Sequence, residues 1–104
     1  MRTESQILQD VIDYFKKMKS LGYPVYVERR QAGGFSYKSG IPDLYAIYNG
    51  KHIEIETKTE DGELSSMQEV WKRFFNNIGV VYICARSLDD VKDVMKSKFN
   101  VDIN

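Results

Sequence analysis

The chain has 104 residues, 42% of them hydrophobic, enough for one domain with one modest core and too few for a second. Its 15 basic residues balance its 15 acidic ones, so no global field draws it to nucleic acid or to an anionic membrane. Binding to a polyanion must come from local clusters or from repetition in an oligomer. The single cysteine, Cys84, lies in the apolar run from Val80 to Ala85; it excludes an intrachain disulfide framework and reads as a buried thiol in a reducing, cytoplasmic setting.

The opening residues MRTESQILQD lack the apolar core of a signal peptide, and no apolar run approaches the roughly 18 residues that span a bilayer, so a soluble chain with no membrane partner is expected. Thr3 and Gln6 have capping-box spacing. Ile7, Leu8, Val11, Ile12, Phe15 and Met18 then recur at helical intervals up to a stop at Gly22, which predicts a helix over 4–20. After Tyr23-Pro24 the segment Val25 to Arg29 has strand composition, and QAGGFSYKSG reads as a loop. Two strands flank Asn49-Gly50, the strongest short-range signal for a two-residue hairpin loop. A helix over 66–78 follows with Met67, Val70, Trp71, Phe74 and Ile78 on one face; Trp71, Phe74 and Phe75 are expected in packing rather than as a base-stacking platform. The run over 80–85 is that of a central strand, and Ser87 opens a last helix with Leu88, Val91, Val94 and Met95 inward. The predicted order is αβββαβα, with no internal repeat.

The hairpin register carries a chemical argument. With Asn49 and Gly50 as the turn, Tyr48 pairs with Lys51, and stepping outward brings Asp43 opposite Glu56. Alternation puts Asp43, Tyr45 and Ile47 on one face with His52, Glu54, Glu56 and Lys58, and Leu44, Ala46, Ile53 and Ile55 on the other. Like charges directly opposed are destabilising, so the pair Asp43 and Glu56 calls for compensation. A divalent cation, Mg²⁺ or Mn²⁺, supplies it and leaves coordination positions for water and a phosphate oxygen. Lys58, on the same face, is then placed to hold or deprotonate an attacking water or to stabilise charge on a phosphorane-like transition state. The inference is conditional on the register, which a bulge near Pro42 or beyond Glu56 would offset. The alternative is a solvated sheet face with Lys58 as an ordinary ion-pair partner. Glu54, opposite Tyr45, falls outside the catalytic set, and His52, near the turn, reads as structural or solvated.

These residues resemble a known motif. Pro42-Asp43, Glu56 thirteen positions later, and Lys58 within ETK are similar to the PD-(D/E)XK nuclease signature. The segments SGIPDL, IEIETK and GELSSMQ, with the strand after the second helix, resemble more closely the VRR-NUC domain, the virus-type replication-repair nuclease family. The resemblance covers nearly the whole chain, so 1–104 is expected to be one domain. It implies an α/β, restriction-endonuclease-like αβββαβ core with a mixed central sheet flanked by helices, and metal-dependent cleavage of DNA. Carried over by position, Asp43, Glu56 and the main-chain carbonyl of Thr57 would be metal ligands and Lys58 the catalytic lysine. Gln68 matches the family glutamine on the second helix and Glu4 the acidic residue near the start of helix one. The resemblance also implies a homodimer like the small junction resolvases, and leans toward a phage or viral origin.

The accessory residues have competing readings. Gln68 stands at capping-box spacing from Ser65, and Glu4 suits the positive end of a helix dipole, although its spacing to Leu8 and Val11 points it toward the core side. Arg29, Arg30 and Lys38 surround the loop before the site and are candidate phosphate contacts, with Tyr37 as the aromatic that touches DNA. The leading expectation is a divalent-metal-dependent DNA endonuclease, structure-selective for Holliday junctions or other branched duplexes, working as a homodimer without an organic cofactor. RNA or single-stranded DNA is not separated from duplex by the motif. The rival is a non-catalytic nucleic-acid-binding or assembly module that retains the fold.

Overall fold

The computed structural model describes residues 1–30 and 39–104. Tyr37 and Lys38 lie outside the described residues. The elements are α1 (Glu4–Ser20), β1 (Val25–Arg29), β2 (Leu44–Tyr48), β3 (Lys51–Thr57), α2 (Ser66–Asn77), β4 (Val81–Ala85) and α3 (Leu88–Phe99), in the predicted order.

Local chemistry accounts for their boundaries. Thr3 and Gln6 close the expected capping box on α1, each side chain bonding the other's backbone N–H, and Ser65 and Gln68 do the same for α2. Between β2 and β3, Asn49 and Gly50 both take positive φ, 49° and 80°, the primed turn whose twist matches an antiparallel pair. That turn sets the register, with Tyr48 opposite Lys51, Tyr45 opposite Glu54 and Leu44 opposite Ile55.

The sheet runs β1-β2-β3-β4, with β1, β2 and β3 antiparallel and β4 parallel to β3. It is therefore a mixed four-stranded sheet flanked by helices, an α/β fold. Leu44, Ala46, Ile53, Ile55, Ile83 and Ala85 supply its apolar face and join Ile7, Val11, Phe15 and Met18 of α1 and Val91 and Met95 of α3 in one core. The other face carries Glu54, Glu56, Tyr82 and Cys84, and α2 packs beside it against β4. No helix among the described residues is long and apolar enough to cross a membrane.

Three expectations are corrected. The apolar run at 81–85 is not a central strand: among the described residues it pairs only with β3 and lies at the sheet edge, its apolar side chains being consumed by α3 and α2 on its faces. Cys84 is half-buried, because its side faces the partly open flank toward Glu69 and Lys72. The apolar stripe of α2 points outward: Met67, Val70, Phe74 and Ile78 are 45%, 44%, 48% and 58% exposed, whereas Phe75 is buried and Trp71 half-buried. Apolar residues span a wide arc of this helix, so periodicity alone does not say which half faces the sheet. Anchors decide it: Trp71 Nε1 donates to the Ser39 carbonyl at 3.0 Å, and the backbone at Met67 and Gln68 packs onto Gly40.

This orientation separates two adjacent phenylalanines. Phe75→Ala should cost about 3 kcal/mol in urea unfolding, as for other buried aromatic truncations, whereas Phe74→Ala should change stability by no more than about 0.5 kcal/mol, as surface changes do.

Candidate metal and nuclease site

The site forms where β3 ends. Glu56 and Thr57 are its last strand residues, Lys58 follows, and the Lys58 N–H donates to the Ala85 carbonyl at 3.0 Å, so the parallel pairing with β4 continues past the strand and fixes the backbone there. Asp43 lies in the bend that leads into β2, one position beyond the last ladder pair, Leu44 with Ile55. The bend lets its carboxylate reach across the strand end: Oδ2 accepts from Thr57 Oγ1 at 3.0 Å and from Thr57 N–H at 3.3 Å. Asp43 and Glu56 are not a ladder pair, but Asp43 lies near enough to act on the Glu56 carboxyl through hydrogen bonding and charge.

The segment entering this bend is held at several points. Gly40 has φ 77°, a left-handed conformation that disfavours any side chain, and a Cβ there would lie 2.6 Å from Met67 Cβ and 2.9 Å from the Gln68 nitrogen. Only glycine lets the segment before Asp43 lie against the first turn of α2. At the other end the Arg30 N–H donates to the Asp43 carbonyl at 2.8 Å, extending the pairing of β1 with β2.

Glu56 is the electrostatic centre. It is 2% exposed, and its Oε1 has no hydrogen-bond partner among the described residues. Burial, then the hydrogen bond and charge of Asp43, push its carboxyl up to about 9; Lys58 opposes the shift and Glu4 adds to it. The shift favours the protonated form of this carboxyl when no cation is present. Tyr82, on the same face of β4, also has a buried hydroxyl without a partner among the described residues, and burial and the charge of Glu56 raise its pKa.

The donor set fits a hard divalent cation. Asp43 and Glu56 could hold one through carboxylate oxygens, Glu56 Oε1 having no hydrogen-bond partner among the described residues. Among the described residues no group of three or more His, Cys, Asp or Glu side chains is arranged to hold a metal ion.

The other sequence candidates separate. Glu4 is exposed in the first turn of α1 and acts on Glu56 through its charge. Gln68 lies beside Gly40, with its Oε1 accepting from the Ser65 N–H at 2.8 Å in the helix cap. Arg29 is exposed at the end of β1. Arg30, expected as a phosphate contact, turns its guanidinium to Glu54 and to the Pro42 carbonyl, giving a fully buried carboxylate a cationic partner. That pairing and the Thr57 side chain were not foreseen from the sequence; the second is within ETK, and its signal is a hydroxyl one step from Glu56.

No protein-family model matches the sequence, and no curated protein matches it. Solved structures do match its fold, among them the following two. One, described as a VRR_NUC domain, has a TM-score of 0.74 at 18% identity and covers 93% of this chain and 99% of its own. The chain has the fold of a VRR_NUC domain. A second, a VRR_NUC domain protein, has a TM-score of 0.76 at 22% identity over 99% of this chain and 93% of its own. At such identities the likeness is one of fold, and it gives the VRR_NUC fold to the whole span from α1 to α3.

The Glu56 shift sets a pH dependence. The folded chain keeps a proton that the unfolded chain releases above about 4.5, so folding binds protons between pH 4.5 and about 9 and stability falls as pH rises through that window. In chelator the melting temperature of the wild type should fall across it. Glu56→Gln, which keeps the neutral shape, should flatten the fall.

Proposed function

We propose that this chain is a divalent-metal-dependent endonuclease that hydrolyses phosphodiester bonds in DNA, selective for Holliday junctions or other branched duplexes. The observation that carries the reading is Glu56: a buried carboxyl beside Asp43, with one oxygen unpartnered among the described residues. A core that merely kept the fold would gain stability by replacing such a group. The VRR_NUC fold of the two neighbours supports the same direction.

Asp43, Glu56 and the Thr57 carbonyl would hold Mg²⁺ or Mn²⁺. When bound, the ion supplies Lewis acidity toward the scissile phosphate and lowers the pKa of the attacking water. Thr57 Oγ1 and N–H keep the Asp43 carboxylate oriented. Lys58, half-exposed beside Glu56, takes or steers the water's proton and neutralises charge on the phosphate oxygens as the bond to the leaving oxygen lengthens. The reaction is a direct displacement with no covalent enzyme intermediate. Glu4 and Gln68 border this centre, and Arg29, Lys38 and Tyr37 are proposed to meet the DNA backbone, positioning it without reading its sequence. The working form is a homodimer, which doubles the basic groups and provides one site per strand; the outward apolar stripe of α2 supports self-association.

The test is cleavage of linear, flap, fork and four-way-junction DNA with Mg²⁺ or Mn²⁺. Asp43→Ala and Lys58→Ala should each reduce cleavage by a factor on the order of 10² or more, while thermal unfolding and DNA binding stay near wild type. Wild-type cutting by either variant, with contaminating nuclease excluded, defeats the assignment. Failure of Mn²⁺ to raise the melting temperature in a manner dependent on Asp43 and Glu56 would favour a non-catalytic nucleic-acid-binding or assembly module.

A further inference from the structure

Glu54, Arg30 and His52 have no part in the proposed hydrolysis, yet they form a polar cluster around a fully buried carboxylate in the sheet. Glu54 is 0% exposed. Its carboxylate accepts from Arg30 Nη1 at 2.5 Å on Oε1 and from Arg30 Nη2 at 2.8 Å on Oε2, a two-point fork, and His52 Nε2 donates to Oε2. Tyr45, directly across from Glu54, stacks on the His52 ring at 5.1 Å with the planes 10° apart, and the Arg30 guanidinium lies 4.9 Å from the Tyr45 ring centroid. Taking such charges out of water is costly, and apolar residues of similar volume are often as stable or more so. Stability alone therefore does not account for the cluster.

Its other end suggests a use. Arg30 Nη1 also donates to the Pro42 carbonyl at 2.9 Å, and the Arg30 N–H donates to the Asp43 carbonyl at 2.8 Å. One residue therefore grips the carbonyls on both sides of the Asp43 Cα, while Thr57 grips its carboxylate. We infer that Arg30, Glu54 and His52 are a positioning unit for Asp43: Arg30 sets the Pro42–Asp43 backbone, Glu54 locks the guanidinium plane, and His52 locks Glu54. The inference rests on the reading of Asp43 and Glu56 as a cation site and assigns to it three residues that do not touch the cation. It requires a planar fork at position 30, since an ammonium cannot reach both oxygens of Glu54 and the Pro42 carbonyl in one plane.

The experiment measures Mn²⁺ binding by calorimetry, steady-state cleavage and thermal unfolding for Arg30→Lys, His52→Gln and the paired change Arg30→Met with Glu54→Leu. The pair leaves no uncompensated charge, and Arg30→Lys covers the case in which the pair does not fold. The folded Arg30 variants should lose about 10- to 100-fold in Mn²⁺ affinity, the range for residues that orient metal ligands, with a lower kcat and an unchanged KM for DNA; His52→Gln should lose less. Unchanged Mn²⁺ affinity in folded variants of reduced stability would make the cluster purely structural and overturn the inference. Weaker DNA binding with a shallower salt dependence and unchanged Mn²⁺ affinity would make Arg30 a phosphate contact and also overturn it. Asp43→Ala serves as the reference: if that variant too binds Mn²⁺ like the wild type, the cation-site reading fails first, and the positioning role falls with it.

Discussion

The two-residue turn at Asn49-Gly50 is the constraint from which the site follows. Its positive φ angles impose one register on β2 and β3, and a slip of one residue would exchange the two faces of the hairpin. In the observed register Leu44, Ala46, Ile53 and Ile55 all enter the core below α1 and α3. The same alignment forces Glu54 and Glu56 onto the opposite face and brings the bend at Asp43 to the end of β3. Hydrophobic burial on one face thus enforces the meeting of carboxylates on the other, and the core offsets the cost of the site.

The two buried glutamates, two residues apart on one strand, have opposite environments. Glu54 is saturated by a guanidinium fork and an imidazole. Glu56 has a second carboxylate for a neighbour and an oxygen without a partner among the described residues. The first environment stabilises a fixed negative charge and suits a structural role; the second leaves the carboxyl short of positive charge and suits a ligand. Equal burial therefore separates the two only when the partners are known.

Much of this was legible in the residue order. Capping boxes at Thr3 and Ser65, the Asn-Gly turn and the periodicity of α1 and α3 act within a few residues, so their outcomes are written locally. The register of β2 and β3 was legible for the same reason, since it propagates from the turn as far as Leu44 and Ile55. The edge position of β4 was not, because an apolar run buried by helices on its faces looks like one buried by neighbouring strands. The outward face of α2 was not legible either: Met67, Val70 and Phe74 have the same spacing whichever side meets the sheet, and the choice came from Gly40 and Ser39, distant in sequence.

The partner of Arg30 shows the boundary most clearly. A basic residue at a strand end beside a glycine-containing loop has, by its neighbours, every mark of a solvent-facing phosphate contact. Its carboxylate partner lies 24 positions away, at a site whose complete burial arises only when β2 is inserted between β1 and β3. Residue types and local periods determine which elements form, where they stop and which chemistry they carry. Long-range packing determines which charges lose their water, and that loss of solvation decides whether a given charge is a surface group, a buried strut or a ligand.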